Sequence, residues 1–133
     1  MFEITTLAAQ ETFTLELVGP NDEPLRDEQG AALSVTVYGP GSKAYQRASA
    51  ARTQRLLDKM AKRGKSRLSG EEQLAEQAGF LAACTVSFNG WAYKGDPQAF
   101  EAAYADPSIG FIADQVAKSV GDWANFTKGS SKT

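Results

Sequence analysis

The spacing of apolar residues changes at Gly39-Pro40-Gly41, and this change constrains the fold more than any other feature of the sequence. Before it, "TFTLELV" (12–18) and "LSVTVY" (33–38) alternate apolar and polar residues, as half-buried strands do. After it, apolar residues recur every three or four positions, which is typical of amphipathic helices. The sequence therefore predicts an α+β fold, with an N-terminal antiparallel β-hairpin followed by three to four helices.

Residues 1–40 form the strand-rich part of this prediction. The two alternating segments are separated by "GPNDEPLRDEQGAA", whose glycine, proline, aspartate and asparagine residues predict a turn or long loop. The opening "FEITTL" is a candidate third strand, so the sheet is expected to have two to three strands. Because a lone hairpin is marginal in water, its apolar face must pack on another part of the protein.

Two helices are predicted in the middle of the chain. The first follows Ser42, a candidate N-cap, and runs over residues 43–62. It is mostly polar, which predicts a surface helix or a long arm. The second helix follows Ser69, which forms a capping-box pattern with Glu72, and runs through "EEQLAEQAGFLAACTVSF". Its end stays open, because "CTVSFNGW" also fits a short strand closed by Asn89-Gly90.

Two Asp-Pro pairs predict helix starts in the last third of the chain. Asp96-Pro97 precedes a short helix over "PQAFEAAYA", and Asp106-Pro107 precedes the closing helix. The closing helix carries large apolar residues at steps of three and four: Ile109, Ile112, Val116, Val120 and Trp123. We therefore expect a single domain over residues 1–133, with a helical part over 41–127 and a flexible tail over 128–133.

The composition argues against several classes of function. The 133 residues carry a net charge of −2, which gives no overall attraction to nucleic acid or anionic membranes. The chain has no histidine, so Ser-His-Asp sets, Cys-His sets and zinc sites with imidazole ligands are impossible. The single cysteine, Cys84, lies on an apolar helix face and is predicted to be a core residue. We expect no enzyme activity, no cofactor and no metal.

A basic cluster follows the first predicted helix, with Lys59, Lys62, Arg63, Lys65 and Arg67. It fits either a phosphate-binding patch or a solvated helix end that the helix dipole favours. No aromatic residue interleaves with these charges, as single-strand binders would require. A small DNA-associated regulator therefore remains an alternative, although the composition argues against nucleic acid as a partner.

The segment "DPSIGFIADQVAKSVGDWANF" ends the chain on many large apolar residues before a polar tail. This pattern has two interpretations: the segment closes the core of the protein, or it offers a face to another chain. Phe111 lies off the main apolar stripe, and Phe126 follows Gly121-Asp122 near the end of the helix. An aromatic residue exposed at such a position would mark an interface.

Three segments in this order resemble the short tail assembly chaperones of long-tailed bacteriophages. "VTVYGPGSKAYQRA" (35–48) resembles the family's strand leading into G-P-x-S-x-A-Y and a helix, and "FLAACTVSFNGW" (80–91) is similar to its helix ending near a tryptophan. The closing segment resembles the family's proline-led helix with a terminal Asn-Phe pair. The acidic loop at 20–32 departs from the family pattern, as does Gly110-Phe111, where the family usually has tryptophan.

The resemblance implies a function that needs no catalytic group. Such chaperones bind the long hydrophobic tape-measure protein in the host cytoplasm and keep it soluble until tail-tube subunits polymerise around it. The implied partners are the tape-measure protein, the tail-tube protein and further copies of this chain, with no membrane contact. The alternatives are a structural virion protein of the neck or tail, of the tail-completion type, and the DNA-associated regulator. The predicted partner-binding residues are Phe111, Ile112, Gln115, Trp123, Asn125 and Phe126.

Overall fold

The computed structural model describes residues 1–63 and 68–127, and over these ranges the chain is an α+β fold, as predicted. The strands are β1 (Thr12–Glu16), β2 (Ser34–Tyr38) and β3 (Thr85–Asn89). The helices are α1 (Lys43–Arg63), α2 (Gly70–Ala83), α3 (Phe100–Tyr104) and α4 (Gly110–Val120). Short 3₁₀ turns cover Ile4–Leu7, Pro107–Ile109 and Trp123–Phe126. The tail predicted over 128–133 lies outside the described residues.

The strands form one antiparallel sheet in the order β1-β2-β3. Phe13 pairs with Val37 and Leu15 with Val35, so the alternation predicted for the hairpin is confirmed. Val35 and Val37 are completely buried because β2 is the central strand and its inner face lies under the helices. The helix expected to pass through "CTVSF" ends instead at Ala83, and the alternative strand is the correct one.

The opening "FEITTL" does not join the sheet, so its prediction as a third strand is wrong. It forms the 3₁₀ turn Ile4–Leu7 because nearby side chains bond to each other and to the backbone. The Glu3 carboxylate accepts a hydrogen bond from Thr5 Oγ1 at 2.8 Å, and Thr6 Oγ1 donates to the Glu3 carbonyl at 2.9 Å. Such local bonds give the backbone an alternative to a strand ladder.

The long connection between β1 and β2 is ordered around three leucines. Leu17 N donates to Leu33 O, Leu25 N to Leu17 O, and Leu33 N to Leu25 O, all at 2.9–3.0 Å. Asp27 Oδ1 accepts from the backbone N–H groups of Gln29 and Ala31 at 2.9 Å. The acidic loop is therefore a folded lobe whose backbone is hydrogen-bonded to the end of the hairpin.

Helices α1 and α2 form an antiparallel pair whose starts follow the predicted caps. Ser42 Oγ accepts from Tyr45 N at 3.1 Å, and Ser69 and Glu72 form the complete capping box. The buried Glu76 of α2 accepts hydrogen bonds at 2.9 Å from the side chains of Arg55 and Lys59 on α1. This ion-pair cluster joins α1 to the body of the domain.

Helix α3 is shorter than predicted. It begins at Phe100 rather than at Pro97, because Asp96 Oδ1 accepts from Gln98 N at 2.8 Å and forms a local turn. At the next start, Asp106 accepts from Ser108 N at 2.9 Å, and the 3₁₀ turn over Pro107–Ile109 leads into α4. In the ranges 1–63 and 68–127, no helix is long and apolar enough to cross a membrane.

The core lies between the sheet and helices α2, α3 and α4. Its most deeply buried side chains come from all of these elements: Leu17, Val35, Val37, Leu81, Cys84, Tyr104, Val116, Val120 and Phe126. Phe88 of β3 contacts three aromatic rings, with Trp91 stacked on it at a centroid distance of 3.8 Å. The core is thus continuous from the hairpin to the C-terminal turn.

Candidate interaction surface

The C-terminal turn folds back onto the hairpin and buries Phe126 completely. Asp122 starts this turn by accepting from Ala124 N at 3.0 Å, and the Phe126 carbonyl accepts from Gln10 N at 2.5 Å. The Phe126 ring packs edge-on against Phe13 at 5.7 Å and lies on the backbone of Gly39. In this arrangement Phe126 is a core residue and offers no surface to another chain.

Gln115 and Asn125 are engaged inside the protein rather than presented to a partner. Gln115 Oε1 accepts from Val18 N at 2.9 Å, and its Nε2 donates to Val18 O at 2.7 Å and to Phe111 O at 3.0 Å. Asn125 Nδ2 donates to Ser119 O at 3.2 Å, near the end of α4. Gln115 therefore fixes α4 to the base of the acidic lobe, and Asn125 holds the turn to the helix end.

The two remaining predicted residues on α4 contribute to the core. Ile112 is buried, and Phe111 is half-buried and packs against the core cluster. Their positions support the interpretation that α4 closes the protein's own core. Their predicted role in partner binding requires a second conformation, or contact through the exposed part of Phe111.

Trp123 is the predicted site residue whose side chain is most exposed to solvent, with 57% of its surface accessible. Its ring lies across Gly41: a methyl group added there would come within 3.3 Å of Trp123 Cζ3 and 3.9 Å of Ala9 Cβ. The glycines of "YGPGS" therefore allow two aromatic rings to approach the backbone, and neither glycine has a positive φ. This steric role accounts for the two glycines of the segment.

The N-terminal segment places further apolar side chains at the same end of the molecule. Phe2, Ile4 and Leu7 are each more than 60% exposed. Ala9, two residues after Leu7, lies close to Gly41, where the ring of Trp123 also lies. We call Phe2, Ile4, Leu7 and Trp123 the terminal patch. The contact at Gly41 and the hydrogen bond from Gln10 N to Phe126 O hold the N-terminal segment near the C-terminal turn. A contiguous exposed apolar surface at such a place would mark an interaction site.

The sequence pointed to Trp123 but not to the N-terminal half of the patch. The prediction of a third strand over "FEITTL" implies that this segment packs within the sheet, which would cover part of these side chains. The available signal was its short, threonine-rich pattern beside Glu3, which favours local side-chain bonds. The contact between the N-terminal segment and the turn Trp123–Phe126 depends on the packing of Phe126 and could not be derived from spacing.

The basic cluster is only partly described. Lys59 is bonded to Glu76, while Lys65 and Arg67 lie outside the described residues, as does the side chain of Arg63. Burial acts to raise the pKa of Glu76, but hydrogen bonds from Lys59 and Arg55 outweigh it and hold the pKa below its usual value. Lys59 therefore has a structural contact within the domain.

Cys84 is completely buried, which confirms its prediction as a core residue. Burial raises the pKa of its thiol to about 12, against a smaller opposing effect of Arg52. A thiol with this pKa is almost fully protonated near neutral pH and is a poor nucleophile. Within residues 1–63 and 68–127, no three histidine, cysteine, aspartate or glutamate residues come together as a metal-binding group.

Comparison with known proteins gives no assignment of the chain. No known protein family matches it. No curated protein is significantly similar to it. No solved structure matches its fold at a significant level.

Proposed function

We propose that this chain is a tail assembly chaperone of a long-tailed bacteriophage, which binds apolar helical segments of the tape-measure protein and keeps them soluble in the host cytoplasm. The proposal rests on the ordered resemblance of three sequence segments to that family. The structural observation that supports it best is the terminal patch, with its exposed Trp123 beside an exposed apolar N-terminal segment.

The terminal patch suits a partner that must be released. Trp123, Phe2, Ile4 and Leu7 are single apolar side chains on a surface, whereas tight small-ligand sites are enclosed. Binding by such a surface gains free energy from apolar burial but orders mobile side chains, so we expect moderate affinity. Moderate affinity would let tail-tube subunits displace the chaperone from the tape-measure protein.

Co-expression tests the proposal directly. We expect a tape-measure protein to be encoded immediately downstream, as a very long protein rich in helix, and fragments of it would be produced with and without this chain. We expect the chain to increase the soluble yield of apolar fragments and to co-purify with them. Fragments that are equally soluble alone and never co-purify would contradict the proposal.

Variants assign the binding to the terminal patch. Trp123→Ala and the triple change Phe2→Ser, Ile4→Ser, Leu7→Ser should each weaken co-purification. Leu57→Ser is the matched control, because Leu57 on α1 is also 57% exposed and is not part of the patch. Equal loss with Leu57→Ser would show that general surface hydrophobicity, not the patch, holds the fragment.

Mass spectrometry of purified virions separates the chaperone from a structural virion protein. A chaperone that is displaced by the tail tube should be absent from mature particles. Recovery of the chain in particles at a fixed ratio to tail proteins would instead support the neck or tail component.

A further inference from the structure

The two edge strands of the sheet, β1 and β3, are not equally protected against pairing with another strand. An edge strand exposes backbone N–H and C=O groups, and proteins commonly protect such edges with proline, lysine or a β-bulge. Strand β3 has a bulge: its pairing with β2 shifts by one residue, and Val86 has no partner residue on β2. The edge of β3 is therefore irregular and poorly suited to further pairing.

Strand β1 has none of these protections. Its five residues Thr12–Glu16 pair with β2 in an unbroken register and include no proline and no lysine. Its alternate side chains Thr12, Thr14 and Glu16 are exposed to solvent. The outer edge of β1 is therefore regular and accessible, which is the condition for adding a strand.

Hydrogen bonds beyond the two ends of β1 show which of its backbone groups face outward. Leu17 N donates to Leu33 O, and Gly39 N donates to Glu11 O, so the odd-numbered residues bond to β2. The even-numbered residues direct their backbone groups away from β2: Thr12, Thr14 and Glu16. Within the ranges 1–63 and 68–127, no group bonds to these outward N–H and C=O groups.

The apolar face of the sheet is incompletely covered at this edge. Val35 and Val37 of β2 are completely buried, whereas their partners on β1, Leu15 and Phe13, are only half-buried. A strand beside β1 would cover these side chains if it placed apolar residues opposite them. The matching occupant is therefore an extended segment with free backbone groups and alternating apolar residues.

A second copy of β1 has both properties. In an antiparallel pair centred on Thr14, the outward N–H and C=O groups of Thr14 bond to those of Thr14 in the second copy. Phe13 of each copy then lies opposite Leu15 of the other, on the apolar face. Thr12 lies opposite Glu16, so no two like charges face each other. The pair has two-fold symmetry, the commonest symmetry of protein dimers.

We propose that the outer edge of β1 is a self-association site, at which two copies pair their β1 strands and join their sheets into one. The site uses residues other than those of the terminal patch and does not rest on the proposed chaperone function. One pair of short strands buries much less than the roughly 1,600 Å² of a standard interface, so we expect a weak, concentration-dependent dimer.

Cysteine cross-linking tests the register in the full-length protein. Residues opposite each other in a hydrogen-bonded pair have Cα atoms about 5.5 Å apart, which a disulfide can span. Oxidation with copper phenanthroline should therefore link Thr14→Cys to its own copy. Thr12→Cys is the matched control on the same strand, because its two copies would lie roughly 13 Å or more apart. The native Cys84 is buried and does not compete.

We expect Thr14→Cys to cross-link at least about tenfold faster than Thr12→Cys, because only the first pair lies within disulfide range. A mixture of Thr12→Cys and Glu16→Cys proteins should form the mixed disulfide, since these two residues lie opposite each other in the proposed register. Non-reducing electrophoresis of samples taken over time measures each rate.

Lysine variants locate the self-association, which sedimentation velocity measures from about 10 µM to 1 mM. Thr14→Lys should weaken it by about tenfold or more, because two like charges would lie opposite each other at the symmetry axis. Val86→Lys is the matched control, since it places lysine at an exposed position of the other edge strand. It should change the association by less than about twofold. Circular dichroism confirms that both variants are folded.

Four results would overturn the proposal. A protein that stays monomeric up to about 1 mM has no such site. Equal cross-linking of Thr14→Cys and Thr12→Cys would contradict the register. Association that Val86→Lys abolishes and Thr14→Lys leaves intact would assign the contact to β3. Association that depends on Trp123 and not on Thr14 would assign it to the terminal patch.

Discussion

The ring of Phe126 lies on Gly39, so close that a methyl group added at Gly39 would come within 2.3 Å of the ring carbon Cδ2. This contact joins the last described turn of the chain to the end of β2. It also sets Trp123, three residues earlier, across Gly41 and beside Ala9. The terminal patch therefore exists because a glycine lets a phenylalanine ring close the core.

Gly39→Ala should destabilise the protein by about 1–3 kcal/mol, because the new methyl group and the Phe126 ring cannot occupy the same space. Urea unfolding monitored by circular dichroism measures the change. Gly70→Ala is a suitable control, since nothing lies within 4 Å of a methyl group at that position. A stable Gly39→Ala protein would contradict the packing of Phe126.

Phe126→Ala should cost about 3–5 kcal/mol, which is typical of removing a fully buried phenylalanine ring. Without the ring, the methyl group of Gly39→Ala has space. The double variant should therefore be no less stable than Phe126→Ala alone, a strong departure from additivity. Additive losses in a double-mutant cycle would show that the two residues are not in direct contact.

Glu76→Gln should lower the free energy of unfolding at neutral pH by about 1–3 kcal/mol, because two charged hydrogen bonds lose their carboxylate acceptor. The pKa of Glu76 is lowered in the folded protein, so its contribution is complete above the unfolded pKa of about 4.3. The contribution is lost as pH falls through the lower, folded pKa. The difference between wild type and Glu76→Gln should therefore shrink in acid.

Urea titrations at several pH values measure this difference. Glu28→Gln in the acidic lobe provides the control, because Glu28 is exposed and its side chain has no hydrogen bond or ion pair within the described part of the chain. Its effect should stay within about 0.5 kcal/mol of wild type. A Glu76→Gln deficit that stays constant down to strongly acidic pH would show that the ion pairs with Arg55 and Lys59 do not stabilise the fold.

Thr85 and Tyr104 should respond unequally to loss of their hydroxyl groups. Thr85 Oγ1 donates to Leu81 O at 2.8 Å, so its single proton is used and Tyr104 must donate to it, at 2.7 Å. Tyr104→Phe leaves Thr85 bonded and should cost about 0.5–1.5 kcal/mol. Thr85→Val leaves the buried Tyr104 hydroxyl unpaired and should cost more, about 1–3 kcal/mol.

The double variant Thr85→Val with Tyr104→Phe provides the internal control for this pair. It removes both hydroxyl groups, so no buried donor is left unpaired, and it should be more stable than Thr85→Val alone. Chemical unfolding of the four proteins gives the comparison. Equal costs for the two single changes would contradict the assigned direction of the hydrogen bond.

Cys84 should resist thiol reagents while the protein is folded. Its pKa of about 12 leaves very little thiolate near pH 8, and its side chain has no exposed surface. Labelling with a chromogenic disulfide should therefore follow global unfolding and accelerate greatly in urea. Rapid labelling in native buffer would show that α2 opens at its C-terminal end independently of the core.

Some elements of the fold could be predicted from local chemistry alone. Alternation in 12–18 and 33–38 predicted β1 and β2, and the caps at Ser42 and Ser69 predicted the starts of α1 and α2. These predictions succeed because side-chain period and cap hydrogen bonds act within a few residues. The segment "CTVSFNGW" was different: it suited helix or strand locally, and its pairing with the free edge of β2 decided for the strand.

The sequence by itself therefore determined the α+β class, the hairpin and most helix starts, since these depend on neighbours along the chain. Only the tertiary structure decided that Phe126 is core and Trp123 is surface, although both belong to the same aromatic C-terminal segment. The reason is steric: the bare backbone of Gly39, distant in sequence, accepts one ring completely, while Gly41 supports only one face of the other.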